Sequence, residues 1–137
     1  MTVRGIRNMN PGNIRLGESW LGLRMKQTDP DFCQFTSMIY GCRALLKLLR
    51  TYVEKRGCTT IRKVVERWAP PSENDTTSYV LSVAAACRRD ADERLPVDVD
   101  PLIYLDLARA IARHECGPEA EGIGDDVWEA AAKEAGL

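Results

Sequence analysis

From residue 41 onward, apolar side chains recur at steps of three and four, and glycine or proline cuts each run short. That pattern constrains the fold more than any other feature. A period near 3.6 puts the apolar residues on one side of a helix, and that side must face another element to leave water. Residues 41–56, GCRALLKLLRTYVEKR, carry Ala44, Leu45, Leu48, Leu49, Tyr52 and Val53 on one face, and Gly57 ends the run. TTIRKVVERWA follows, with Thr59 or Thr60 as N-cap and Ile61, Val64, Val65 and Trp68 turned inward, until Pro70 and Pro71 stop it. A third helix restarts in SENDTTSYVLSVAAACRR, capped by Asp75 or Thr76, with Tyr79, Val80, Val83, Ala84 and Cys87 as its stripe. After the polar link DERLPVDVDP, Asp100 is expected to cap a helix that carries Pro101 in its first turn and runs to Glu115. A short last helix over 125–135 is anchored by Trp128.

The first forty or so residues read differently. Gly5, Pro11, Gly12, Gly17, Gly22 and Pro30 interrupt short apolar pieces, which predicts loops and one or two short irregular strands, not helices. A chain of 137 residues supports one core, so 1–137 is read as a single domain. The expected architecture is mainly α, a helical lobe with a small N-terminal loop and strand lobe. A cleft between the lobes is a natural ligand site.

Composition narrows the function. The chain is 45% hydrophobic and 28% charged, which is ordinary for a folded domain. A net charge of −1 argues against holding nucleic acid by bulk charge. A local group of Arg4, Arg7 and Arg15 is the lesser reading, and salt-dependent DNA binding would test it. The five cysteines are odd in number and none forms C-x-x-C; with one histidine, they point to buried thiols rather than a zinc site or a disulfide framework. No metal or organic cofactor is implied. The N-terminus has no apolar signal-peptide core, and no run is long enough to span a bilayer. A substrate outside the cytosol would therefore need another agent to deliver this protein.

The residue that stands out is Glu115, in LDLARAIARHECGP. Helical spacing sets it below Tyr104, Ala108 and Ile111, at the edge of the apolar face, and Gly117 and Pro118 follow to stop the helix. A carboxyl half buried at a helix C-terminus is disfavoured as a charge by burial and by the helix dipole. Its pKa is expected to rise, as a general acid requires. The plainer alternative is a solvated glutamate paired with Arg109 or Arg113. His114 projects elsewhere on the helix, as a surface or capping residue.

The stretch AIARHECG resembles the catalytic-helix motif of the lysozyme-like lytic transglycosylases and glucosaminidases, an apolar helix ending in Glu-Ser-Gly. The resemblance implies that Glu115 is the acid that cuts peptidoglycan glycan strands and that Gly117 is the motif glycine. Cys116 departs from the usual serine or asparagine. RNMNPGNIRLGESWLGL and DFCQFTSMIYGCRALLKLL are similar to the block that follows the catalytic helix in the glucosaminidase branch, through Asn10, Asn13, Ile14, Arg15, Trp20, Gly22, Phe32 and Phe35. Asn10, Asn13, Arg15, Trp20 and Asn74 are the candidate substrate-binding residues. Asparagines tolerate tight turns and offer both donor and acceptor. Gly12 lets backbone approach a ligand, and Trp20 presents a flat apolar face to a sugar. ERWAPPSENDTTSYV resembles the region before the tyrosine helix of lytic transglycosylases, which implies that Tyr79 stands beside the acid. Glu73 is the one candidate for a second carboxylate, although a capping role also fits it.

In those families the acid helix comes first; here it is nearly last. The resemblance therefore implies a circularly permuted lysozyme-like α+β domain, similar to small phage virion or structural proteins with an RNxNPGNxR … WAPxxEN pattern. The expected activity is cleavage of the β-1,4 bond between N-acetylmuramic acid and N-acetylglucosamine. A lytic transglycosylase is favoured because no strong second carboxylate is evident. A hydrolytic muramidase using Glu73, or an inactive virion protein of the same fold, is the alternative. The expected partners are glycan strands and other virion proteins. The expected location is the virion, or the host cytoplasm before release to the periplasm.

Overall fold

The computed structural model describes residues 2–72 and 74–137; Glu73, the nominated second carboxylate, lies outside them. The described chain is mainly helical: α1 Arg4–Arg7, α2 Met38–Lys55, α3 Ile61–Trp68, α4 Thr76–Cys87, α5 Ile103–Cys116, a 3-10 segment Gly117–Gly122, and α6 Asp125–Glu134. The four expected long helices and the short last one all form.

Their boundaries follow side-chain chemistry. Ser37 caps α2 by accepting from Tyr40 N, and Thr60 caps α3 by accepting from Lys63 N. Asp75 caps α4 through Ser78 N at 3.2 Å. Thr76, the other candidate, instead donates its hydroxyl to the Ala69 carbonyl at 2.6 Å, tying the end of α3 to the start of α4. One expectation for α5 is corrected. Asp100 accepts from Leu102 N, but the helix begins at Ile103, so Pro101 lies in the turn before it. The α-helix does end before Gly117, at φ +66°, and a 3-10 segment follows to Gly122.

Helix α5 is the hub. Leu107, Ala108 and Ile111 are completely buried, and α5 packs on α1, α2, α4 and the 3-10 segment. Helix α2 joins α5 to α6, where Trp128 is buried as expected, and α3 packs on α4.

The N-terminal block departs from expectation twice. It contains the single helical turn α1. Among the described residues it forms no strand, only two isolated antiparallel bridges, Arg15 with Phe32 and Leu23 with Phe35. Side chains replace the missing ladder. Asn10 Nδ2 donates to the carbonyls of Ile14 and Cys33, and its Oδ1 accepts from Ile14 N. Asp29 accepts from Arg4, from Asn8 Nδ2, and from the backbone N–H groups of Asp31 and Phe32. The Arg4 guanidinium above all holds that carboxyl far below the usual carboxylate range. The block docks on α2 at Gly41, where a Cβ would stand 1.8 Å from the Met9 carbonyl oxygen. Only glycine allows that approach.

Candidate functional site

Glu115 sits in the last turn of α5, half buried at the edge of the apolar face. Two segments remote in sequence meet it there. Asn13 donates from Nδ2 to Glu115 Oε1 at 2.9 Å, and Tyr79 donates its hydroxyl to Glu115 Oε2 at 2.8 Å. Each carboxyl oxygen is thus held by one donor and keeps a lone pair for a proton or a ligand. Arg109 and Arg113 do not pair with Glu115. They bond Asp125 and Glu121, at 3.0 and 3.3 Å, across a hollow on the far side of α5.

Local structure explains the approach of Asn13. Its φ of +49° is left-handed, a conformation that asparagine tolerates better than most residues. It emerges from the turn that Asn10 closes from below. Gly5 clears the space behind it: a Cβ there would lie 2.6 Å from Cys116 Sγ and 3.0 Å from Asn13 Oδ1. Tyr79 comes from the inner stripe of α4 and is 2% exposed. Burial, and then the Glu115 charge, push its phenol far above the ordinary tyrosine value, so the hydroxyl remains a donor. Cys116, next to Glu115 in sequence, is buried with its Sγ 3.4 Å from the Pro11 carbonyl oxygen. Its thiol is pushed up to about 11, chiefly by burial, so it too is a donor at neutral pH.

In front of Glu115 lies a cleft of about 360 Å³, within the usual range for small-molecule sites. The N-terminal block contributes Asn13, Arg15, Trp20 and Phe32 to it, and Asn74 joins from the loop before α4. The opposite wall is aromatic and comes from helices: Tyr52 of α2 and Trp68 of α3 meet edge to face, centroids 6.0 Å apart. Arg15 is exposed, with its guanidinium carbon 5.4 Å from the centre of the Phe32 ring. Trp20 is half buried, and its indole Nε1 is buried without a partner.

Of the nominated residues, Glu115, Asn13, Arg15, Trp20 and Asn74 share this cleft, with Tyr79 buried behind the carboxylate. Asn10 is a correction. It is completely buried, its amide is spent on backbone partners, and it supports the turn instead of facing a ligand. Gly12 lines the cleft, and its smallness also serves packing, since a Cβ there would press on Leu45 and Trp68 at 3.0 Å. Spacing did not expose Tyr52 and Trp68, which count as core residues on the helical stripes. Helical spacing puts both well within those stripes, so it held no signal that set them apart from the core. Glu18 was also missed. It is exposed and, among the described residues, is the other carboxylate lining the cleft. Nor did spacing show that His114, exposed on α5, stacks on Tyr79 with centroids 3.7 Å apart and planes 23° apart.

Among the described residues, no three His, Cys, Asp or Glu side chains converge as a metal site, and no helix is long and apolar enough to cross a membrane.

Fold and site together define a mainly helical protein in which three remote segments build a carboxylate-centred cleft. No family model matches the chain. The chain is similar to protein P5 of Pseudoalteromonas phage PM2, at 36% identity over 105 residues that take in 74% of this chain and 66% of that protein. The match thus spans just under two thirds of the phage protein's length.

Proposed function

We propose that this chain is a phage virion-associated protein whose Glu115 cleft cuts the glycan strand of peptidoglycan. The likeness to a phage protein supports the phage part of the reading. One observation carries the enzymatic half: Glu115 faces a cleft while Asn13 and Tyr79 each hold one of its oxygens. A carboxyl group oriented in this way can pass a proton to a glycosidic oxygen and take one back. The aromatic wall offers flat apolar faces to sugar rings. The lysozyme-like likeness of the AIARHECG and NPGN segments supports the same reading, with the chain order permuted.

In the favoured chemistry Glu115 protonates the oxygen of the β-1,4 link between N-acetylmuramic acid and N-acetylglucosamine. The muramyl 6-hydroxyl attacks its own C1, and the carboxylate then accepts that hydroxyl's proton. No water is consumed. Glu18 favours a second reading, a hydrolytic muramidase in which it would activate water.

Glu115→Gln should keep the fold and lower clearing of purified cell walls by about 10²- to 10⁴-fold, the usual contribution of a general acid. Equal clearing by mutant and wild type would remove Glu115 from the mechanism. A wild type that clears nothing would leave a virion protein without cleavage activity. Mass spectrometry separates the chemistries: 1,6-anhydro ends mark a transglycosylase, and reducing ends that vanish in Glu18→Gln mark a hydrolase.

A further inference from the structure

We propose that His114 is a positioning residue: it clamps the ring of Tyr79 so that the phenol stays on Glu115. The kinetic consequence rests on Glu115 being the reacting acid; the clamp itself does not.

Successive residues on a helix point about 100° apart. His114 and Glu115 therefore address different parts of one tyrosine from the neighbouring helix. The carboxylate takes the hydroxyl at 2.8 Å, and the imidazole takes the ring face at 3.7 Å between centroids. Tyr79 is 2% exposed, whereas His114 is exposed, so the imidazole lies over the ring on its solvent side. Rotation about Cβ–Cγ leaves a phenol oxygen on its axis, so only a swing of the whole ring can withdraw it. Packing blocks that swing on one face and His114 blocks it on the other. The stack also joins α4 to α5 at the point where the site depends on their register. Among the described residues, the His114 side chain forms no hydrogen bond or ion pair, so the stack is what holds it.

The chain has one histidine, so its imidazole proton signals are unambiguous. In wild type they should lie upfield of free histidine through the ring current of Tyr79. They should return to ordinary positions in Tyr79→Leu and stay shifted in Glu115→Gln. With tyrosines labelled at the phenol carbon, the Tyr79 signal, identified by its loss in Tyr79→Phe, should move in His114→Ala and hold in His114→Phe. On purified walls His114→Ala should lower kcat roughly two- to tenfold at unchanged KM, a factor matching the worth of an aromatic pair. His114→Phe should restore it. Imidazole signals at free positions in wild type, a Tyr79 signal indifferent to His114→Ala, or equal losses in the Ala and Phe variants would each overturn the clamp. If wild type cleaves nothing, the cleavage reading fails, and the spectra still decide the clamp.

Discussion

Tyr79 shows how much one hydroxyl carries. It is buried, its proton is held by burial and by the neighbouring charge, and it ties α4 to the end of α5. Tyr79→Phe keeps the ring and its stack but removes the donor from Glu115 Oε2. It should cost about 1–2 kcal/mol in urea denaturation, the usual toll of orphaning a part-buried polar group. It should also slow wall clearing, though less than Glu115→Gln does. Cys116 offers the converse test. Its thiol donates to the Pro11 carbonyl, and a thiol is a weak donor. Cys116→Ser supplies a stronger donor in similar space and should leave melting temperature and clearing close to wild type. Cys116→Val should lower both.

At the scale of elements, the weak point is the contact between the N-terminal block and α2. The block has no strand ladder, so its order rests on Asn10, Asp29 and the close passage of Met9 over Gly41. Gly41→Ala favours the helix intrinsically, by about 1 kcal/mol. Yet its methyl would lie 1.8 Å from a carbonyl oxygen, and backbone atoms cannot yield as a flexible side chain can. A net loss of about 1–3 kcal/mol is expected, as for overpacked cores, with the cleft disturbed because Asn13 hangs from the same block. Thermal melting and clearing should fall together. The helices themselves were legible in sequence, because their caps and breakers act locally: Thr60, Asp75 and Gly57 behave as their chemistry dictates. The block was not. A turn held by side chains forty residues or fewer apart, such as Asn10 with Cys33, leaves no periodic signature.

For the whole molecule, pH reports the network. Tyr79 and Tyr104 are both raised well above ordinary phenols, first by burial and then by a carboxylate partner, Glu115 for one and Glu54 for the other. A group whose folded pKa is raised adds stability that is full below its unfolded value, about 10 for tyrosine, and is lost as pH rises toward the folded value. Stability should therefore decline from roughly pH 10 upward, and Tyr79→Phe should flatten that decline in alkaline denaturation curves. The acid side has the opposite sign. Asp29, Asp75 and Asp92 are all lowered, mainly by hydrogen bonds. Their contribution is full above about pH 4 and is lost as pH falls through the folded values.

Sequence by itself determined the helical register and singled out Glu115, because a 3.6-residue period and a charge at the edge of an apolar stripe are local facts. It also named Asn13 and Tyr79 as companions, through likeness to other chains. Only the tertiary structure decided that Asn13 and Tyr79 grip opposite oxygens of that carboxyl, that Asn10 works beneath them, that Tyr52 and Trp68 leave the core to wall a cleft, and that His114 covers a ring. Those relations join residues 36 to 102 positions apart at Glu115. Contact over such separations depends on how whole helices pack, and no local spacing encodes it.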